Sequence, residues 1–144
     1  MTVGILIIAH GDIGPALIGA ASHVLGRNLA EERVASLRAG HDEAREDFLA
    51  QAQARVADLD SGDGVLLLTD LFGATPANLS RELLQPGRVA GAAGVSLPML
   101  LRAVNYRQLP LEALRQRVGI IMQDIFILPD TVRANILLDQ PDDN

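Results

Sequence analysis

The sequence contains no cysteine and no lysine, and each absence narrows the chemistry open to the chain. Without cysteine, disulfides, thiolate metal sites and a thiol nucleophile are all excluded. All 12 basic residues are arginines, so the phosphate-binding lysine of a Walker motif is absent too. The formal net charge of −6 comes with no basic stripe, which argues against nucleic acid or an anionic membrane as a partner.

Long apolar runs are also missing. No stretch approaches the roughly 20 apolar residues that a membrane-spanning helix needs, and the apolar run near the amino terminus is shorter than that of a secretory signal peptide. With 49% hydrophobic and 21% charged residues, the 144-residue chain has the composition and size of one globular domain. We therefore expect a cytoplasmic protein with a single core and no membrane insertion.

The apolar pattern predicts strands that alternate with helices. Two continuous apolar runs, Val3–Ala9 and Val65–Thr69, are typical of strands covered on both faces, as in a parallel sheet. Weaker strand patterns cover 32–37 and 88–95, and helical patterns cover 13–25, 41–59, the segment after 75, and 97–105. Strand and helix thus alternate four times, which predicts an α/β domain with a mainly parallel sheet.

Two titratable side chains come directly after the apolar runs. His10 follows the first run, and Asp70 follows the second. Ligands of open α/β sheets bind beyond the carboxyl ends of the strands, so we expect both side chains at one edge of the sheet. A carboxylate that accepts from one imidazole nitrogen leaves the other to act as base, ligand or nucleophile. A structural hydrogen-bonding role for a single histidine at a strand end stays open beside these three.

The loops after both strands are rich in glycine and small residues. Residues 10–15 read HGDIGP, and residues 70–76 read DLFGATP. Such loops at helix N-termini offer backbone N–H groups to an oxyanion or a phosphate, which favours the nucleophile among the roles of His10. Thr75 before Pro76 is typical of a helix N-cap followed by a proline in the first turn.

Other phosphate and metal motifs do not occur. The HGDIGP loop lacks the G-x-G-x-x-G spacing of a dinucleotide site. The two remaining histidines are His23, inside a predicted helix, and His41, at a predicted helix start. No pair of histidines has the spacing of metal ligands, so we expect no metal site.

Three motifs in order resemble one known family. They are an apolar strand ending in AHG, the stretch DLFGATPAN, and the stretch GVSLPMLLRAV. Together they are similar to the IIA domain of the mannose class of the bacterial phosphoenolpyruvate-dependent sugar phosphotransferase system, over residues of about 2–117. The resemblance implies a flavodoxin-like four-stranded parallel sheet flanked by helices. It also implies a homodimer in which a C-terminal strand crosses to the partner.

The resemblance further implies a catalytic role for two residues. His10 would accept a phosphoryl group from the phosphohistidine of the carrier protein HPr and pass it to a IIB protein, and Asp70 would hold the imidazole. The hydroxyl and N–H of Thr75 would face the phosphoryl group. The phosphoryl-binding positions implied in this way are Gly11, Gly73, Ala74 and Thr75. No metal and no cofactor is implied, because HPr delivers the phosphoryl group already activated on nitrogen.

Two features depart from the family pattern. The family usually has a second glycine where this chain has Ala74, and an alanine with a positive φ would be strained by about 1 kcal/mol. The chain also divides into a family-like domain, 1–117, and an atypical tail, 118–144. Within that tail, VGIIMQD and TVRANILL resemble the Q-loop segment of ABC-type ATPases. No P-loop precedes Gln123, so ATP binding does not follow, and we expect VGIIM or DIFIL to supply an edge or partner-crossing strand.

Three functions are compatible with these residues. The first is a phosphoryl carrier that serves sugar uptake or a regulator linked to the phosphotransferase system. The second is a non-catalytic binding or regulatory module that retains the fold, which Ala74 and the atypical tail suggest. The third is a subunit that feeds a dihydroxyacetone kinase, although the GATPAN stretch fits the mannose-class pattern better.

Overall fold

The computed structural model describes residues 2–40, 44–70 and 75–125, which form an α/β domain. Its four strands make one parallel sheet with the order β2-β1-β3-β4. The strands are β1 (Gly4–His10), β2 (Val34–Ala39), β3 (Val65–Thr69) and β4 (Val89–Ala93). The helices are α1 (Ile13–Leu25), α2 (Arg45–Leu59), α3 (Thr75–Arg81), α4 (Leu97–Tyr106) and α5 (Leu111–Ile125), and a short 3-10 helix covers Leu29–Glu31.

The two central strands are apolar because both of their faces are covered. Side chains of β1 alternate between two cores, as the two-residue period of a strand requires. Ile5 and Ile7 pack with buried residues of α1, α4 and α5 on one face. Leu6 and Ile8 pack with α2 on the other, where Phe48 is the largest buried side chain. The prediction of a parallel sheet flanked by helices is therefore confirmed.

The turn before β3 lies at the amino edge of the sheet and is held by one carboxylate. Asp60 Oδ1 accepts from the N–H groups of Gly62, at 2.8 Å, and Gly64, at 3.1 Å. Its Oδ2 accepts from Arg88 Nη2 at 2.9 Å. The pKa of Asp60 is lowered, first by the N–H of Gly62 and then by the Arg88 guanidinium and the N–H of Gly64. Burial of the carboxylate acts in the opposite direction.

Residues 118–122, which the sequence suggested as a strand, belong instead to α5. Leu111, Leu114 and Val118 are all buried and recur at the spacing of one helix face, so the helix continues through this segment. Gln123 also lies in α5, so the strand that a Q-loop would place before it is absent. The second strand candidate, 124–128, begins in α5 and runs into residues outside the described part of the chain.

No helix in the described part of the chain is both long and apolar enough to cross a membrane.

Candidate functional site

His10 and Asp70 meet at the carboxyl edge of the sheet, as the sequence predicts. His10 is the last residue of β1, and Asp70 directly follows the neighbouring strand β3. The imidazole Nδ1 lies 2.7 Å from Asp70 Oδ2, and the backbone N–H of His10 donates to that same oxygen at 3.1 Å. One carboxylate oxygen therefore holds both the ring and the backbone of His10.

This position is the topological switch point of the fold. The chain leaves β1 to form β2 on one side, and it later returns to form β3 on the other side. Connections at such a point diverge, which opens a crevice at the carboxyl ends of the two strands. The Asp70 side chain is only 9% exposed, whereas the His10 side chain is 35% exposed. The carboxylate is thus buried beneath a ring that solvent reaches.

The contact determines which ring nitrogen carries the proton. An ionised carboxylate can only accept hydrogen bonds, so the Nδ1 that contacts it at 2.7 Å is the protonated nitrogen of the neutral ring. The lone pair then lies on Nε2. This arrangement suits a nucleophile or a base, because the reactive nitrogen is defined and the ring cannot easily rotate.

The turn after His10 is shaped by Gly11 and held from β2. Gly11 has φ +50°, and a Cβ there would meet nothing within 4 Å, so glycine is required by conformation and not by space. Arg38, near the end of β2, donates from Nε to the Gly11 carbonyl at 3.1 Å. Its Nη2 also pairs with the carboxylate of Asp12.

The first turn of α1 packs closely on the sheet beside this site. Gly14 is buried, and a Cβ there would lie 2.6 Å from the Cβ of Ser36 on β2. A larger residue would therefore push the start of α1 away from the sheet. Pro15 follows in the same turn, where a missing N–H leaves no intrahelical bond unmade.

The second predicted loop is described only at its ends. Thr75 is the first residue of α3, and the helix start expected there is confirmed. The side chain of Thr75, and the whole of Gly73 and Ala74, lie outside the described residues. Their phosphoryl-binding roles therefore stay predictions, while the structure brings His10, Gly11 and Asp70 together at one edge.

Of the other two histidines, only His23 lies in the described part of the chain. His23 is exposed in the last turn of α1, and His41 is outside the described residues. No group of three or more potential metal ligands occurs in the parts of the chain that the structure describes.

A small cavity opens at the same edge of the sheet, between α3 and the two strands β3 and β4. Its volume is about 130 Å³. Thr69 and Ala93, the last residues of those strands, line it together with Ser80 and Arg81 of α3. Its described lining residues include neither His10 nor Asp70.

Arg38 is the site residue that the sequence did not indicate. The predicted second strand ends at Leu37, one residue short of it, and an arginine at a strand end is ordinary. Its proximity to the His10 turn depends on the pairing of β1 with β2, in which Arg38 lies opposite Ala9. A charged residue at the carboxyl end of a neighbouring strand was the only available signal.

Comparison with known proteins identifies similar sequences over most of the chain. A family model described as PTS system fructose IIA component matches residues 4–118. The mannose-specific EIIAB component of the phosphotransferase system (PTS) of Escherichia coli K12 is 32% identical over 108 residues, which are 74% of this chain and 32% of that protein. The fructose-specific EIIA component of Bacillus subtilis 168 is 27% identical over 107 residues, 74% of this chain and 71% of that protein.

Solved structures with the same fold cover more than four fifths of the chain. A phosphotransferase system component EIIA from Streptococcus agalactiae superposes with a TM-score of 0.73 at 24% identity, covering 88% of this chain and 96% of the other. A PTS IIA protein associated with the fucose utilization operon of Streptococcus pneumoniae superposes with a TM-score of 0.70 at 25% identity, covering 84% of this chain and 91% of the other. By contrast, the chain spans about a third of the length of the Escherichia coli relative.

Proposed function

This chain belongs to the family of PTS fructose IIA components, and we propose that it carries a phosphoryl group on His10. The donor is the phosphohistidine of HPr, and the acceptor is a separate IIB protein. The observation that carries this proposal is the 2.7 Å contact between His10 Nδ1 and Asp70 Oδ2 at the switch point of the sheet. It leaves the lone pair on the Nε2 of a ring that solvent reaches.

The transfer is an exchange of one P–N bond for another. The lone pair of His10 Nε2 attacks the phosphorus, and the electron pair of the breaking bond returns to the donor nitrogen. The His10 ring becomes an N-phosphorylated imidazolium that keeps its Nδ1 proton. Asp70 accepts from that proton before and after the transfer, so it stabilises the positive ring as it forms.

Positioning supplies most of the remaining catalysis. Transfer from a phosphohistidine to a histidine exchanges one P–N bond for a similar one, so in-line alignment and donors to the phosphoryl oxygens are the main requirements. We assign this donor role to the loop residues Gly11, Gly73, Ala74 and Thr75. Support comes from the position of Gly11 beside His10 and from the start of α3 at Thr75. No metal or cofactor takes part.

The exposure of His10 supports a protein as donor and as acceptor. A histidine that lies 35% exposed at a sheet edge can be reached by a second protein's phosphohistidine.

We propose a cytoplasmic location, where HPr and IIB proteins act, and a role in sugar uptake or in regulation linked to it. We also retain the division into a domain of 1–117 and a tail of 118–144 that contributes to a homodimer.

The test is the intact mass of the protein after incubation with phosphoenolpyruvate, enzyme I and HPr. We expect the wild type to gain one phosphoryl group that acid removes, as a phosphoramidate bond requires. His10→Ala should gain none, and His23→Ala, which removes an exposed histidine from the same stretch of chain, should label like the wild type.

A result in which HPr is phosphorylated and the wild type gains no mass would reject the carrier function. The non-catalytic binding module would then account for the fold. Labelling of His10→Ala as fast as the wild type would instead show that another residue accepts the phosphoryl group.

A further inference from the structure

Arg38 lies on the opposite side of β1 from Asp70. Strand β1 is flanked by β3, whose end carries Asp70, and by β2, which carries Arg38. The Cα of Arg38 pairs in register with Ala9, the residue before His10. From there the guanidinium reaches over the turn, to the Gly11 carbonyl at 3.1 Å and to the Asp12 carboxylate. The histidine and its turn are thus held from both neighbouring strands.

Asp12 occupies the N-cap position of α1 without capping it. An aspartate at that position normally accepts from the N–H groups of the first helical turn. The Asp12 side chain makes no such bond, and its Oδ1 pairs with Arg38 Nη2 instead. Its negative charge is thereby drawn toward β2, on the side of β1 away from Asp70.

This charge matters because it is two residues from the proposed nucleophile. A phosphoryl group on His10 brings up to two negative charges to the same turn. The carboxylate of Asp12 is exposed, and it repels the incoming group unless a cation neutralises it. Arg38 is the residue that pairs with it.

We infer that Arg38 is a positioning residue for phosphoryl transfer, which neutralises Asp12 and holds it on the β2 side of the turn. This inference rests on the proposed function of His10. Arg38 is not a catalytic residue, because it acts through Asp12 and through the turn. Both side chains are exposed, and such pairs contribute little to folding, so the effect on transfer is separable from an effect on stability.

The cleanest assay uses potassium phosphoramidate as the donor in place of HPr, so that protein docking does not contribute to the rate. The lone pair of His10 Nε2 attacks the phosphorus of H₃N⁺–PO₃²⁻, the P–N bond breaks, and its electron pair leaves with ammonia. The ring becomes a phosphorylated imidazolium that retains its Nδ1 proton, which balances charge and atoms. Intact mass against time gives the rate.

The informative variants form a double-mutant cycle. We expect Arg38→Ala to be phosphorylated about tenfold more slowly than the wild type, since it exposes an unneutralised carboxylate beside the site. Asp12→Asn alone should match the wild type or exceed it. The combined variant Arg38→Ala with Asp12→Asn should return to within about threefold of the wild type, because the repelling charge is gone.

Two further measurements separate this effect from a change of structure. The deficit of Arg38→Ala should shrink when salt is raised from about 0.05 M to about 0.5 M, because ions screen the Asp12 charge. Arg27→Ala is the matched control. It removes an exposed arginine paired with Glu32 at 2.9 Å, beyond the far end of α1, and its rate should equal that of the wild type.

Each failure has its own meaning. A wild type that neither phosphoramidate nor phospho-HPr labels at His10 would reject the proposed function and this inference together. A labelled wild type with an equally fast Arg38→Ala would reject the inference alone. A double variant as slow as Arg38→Ala would also reject it, because charge neutralisation would then not be what Arg38 contributes.

Discussion

Asp70 and Asp60 are carboxylates of nearly equal burial at opposite ends of one strand. Their side chains are 9% and 10% exposed, and they flank β3 at its carboxyl and amino ends. Asp60 accepts from two backbone N–H groups within its own turn and from Arg88. Asp70 accepts from the ring and backbone of His10, which is 60 residues away in the sequence.

The difference lies in what each carboxylate holds. Asp60 stabilises a turn whose backbone N–H groups it satisfies locally. We therefore expect it to contribute to the free energy of unfolding and not to the reactivity of the site. Asp70 orients a side chain that is exposed on its far side, so its effect continues into the reactivity of that side chain. Two residues with similar burial and the same chemistry thus differ in role, because the crevice in which an open α/β sheet binds its ligands lies at the carboxyl ends of the strands and not at the amino ends.

The largest expected effect separates the two carboxylates by activity. Asp70→Asn should lower the rate of phosphorylation of His10 by phospho-HPr about a thousandfold, because the amide N–H can donate to Nδ1 and move the proton to Nε2. Asp60→Asn, the same chemical change at the other end, should leave the rate unchanged. Nitrogen NMR of the imidazole should show the change of tautomer in Asp70→Asn alone. Equal rates for both variants would remove Asp70 from the mechanism.

The second-largest expected effect distinguishes Asp60 from Asp70 by its contribution to the free energy of unfolding. Asp60→Ala should lower the free energy of unfolding by about 2 kcal/mol, because the N–H groups of Gly62 and Gly64 lose a charged acceptor. Urea unfolding measures this loss. The folded fraction should still be phosphorylated at the wild-type rate. A lowered rate in fully folded Asp60→Ala would show that Asp60 also affects the reactivity of His10, against the division of roles between Asp60 and Asp70.

The contribution of Asp60 should depend on pH. The pKa of Asp60 is lowered in the folded protein, so the folded state binds a proton less readily than the unfolded chain does. In the unfolded chain the pKa of an aspartate is about 3.9. The stability it adds is therefore complete above that pH and is lost as pH falls through the folded value. The gap in unfolding free energy between the wild type and Asp60→Ala should be constant from about pH 7 to 5 and narrow below about 4. A gap that widens in acid would contradict this.

The smallest effect comes from the exposed partner of Asp60. Arg88→Ala should cost less than about 1 kcal/mol of unfolding free energy, because the arginine is largely exposed while both backbone bonds to Asp60 remain. Urea unfolding beside Asp60→Ala gives the comparison. A loss as large as that of Asp60→Ala would show that the charge pair, and not the backbone bonds, holds the turn.

Much of the fold was predictable from the sequence, for identifiable reasons. The predicted helix 13–25 has the observed bounds of α1, and the run Val65–Thr69 has those of β3. Strands buried on both faces must be continuously apolar, so their positions are visible without any partner. The meeting of His10 with Asp70 was also predictable, because both follow such strands and parallel strands end at one edge.

The segment 118–122 was less predictable, because its apolar residues also suit a short strand. Apolar runs of this length do not distinguish the two structures by periodicity alone. The helix becomes visible only when the segment is read with Leu111 and Leu114, whose buried face it continues. Burial against the rest of the domain therefore decided what the local pattern left open.

The sequence by itself determined the α/β class, the two polar residues at the strand ends and the glycine-rich turn after His10, because these follow from local periodicity and from backbone preferences. The tertiary structure alone decided that Asp70 Oδ2 holds both His10 Nδ1 and its backbone N–H, and that Arg38 pairs with Asp12 across the same turn. Such contacts join residues on different strands, so they depend on strand order and register, and the packing of the whole sheet determines both.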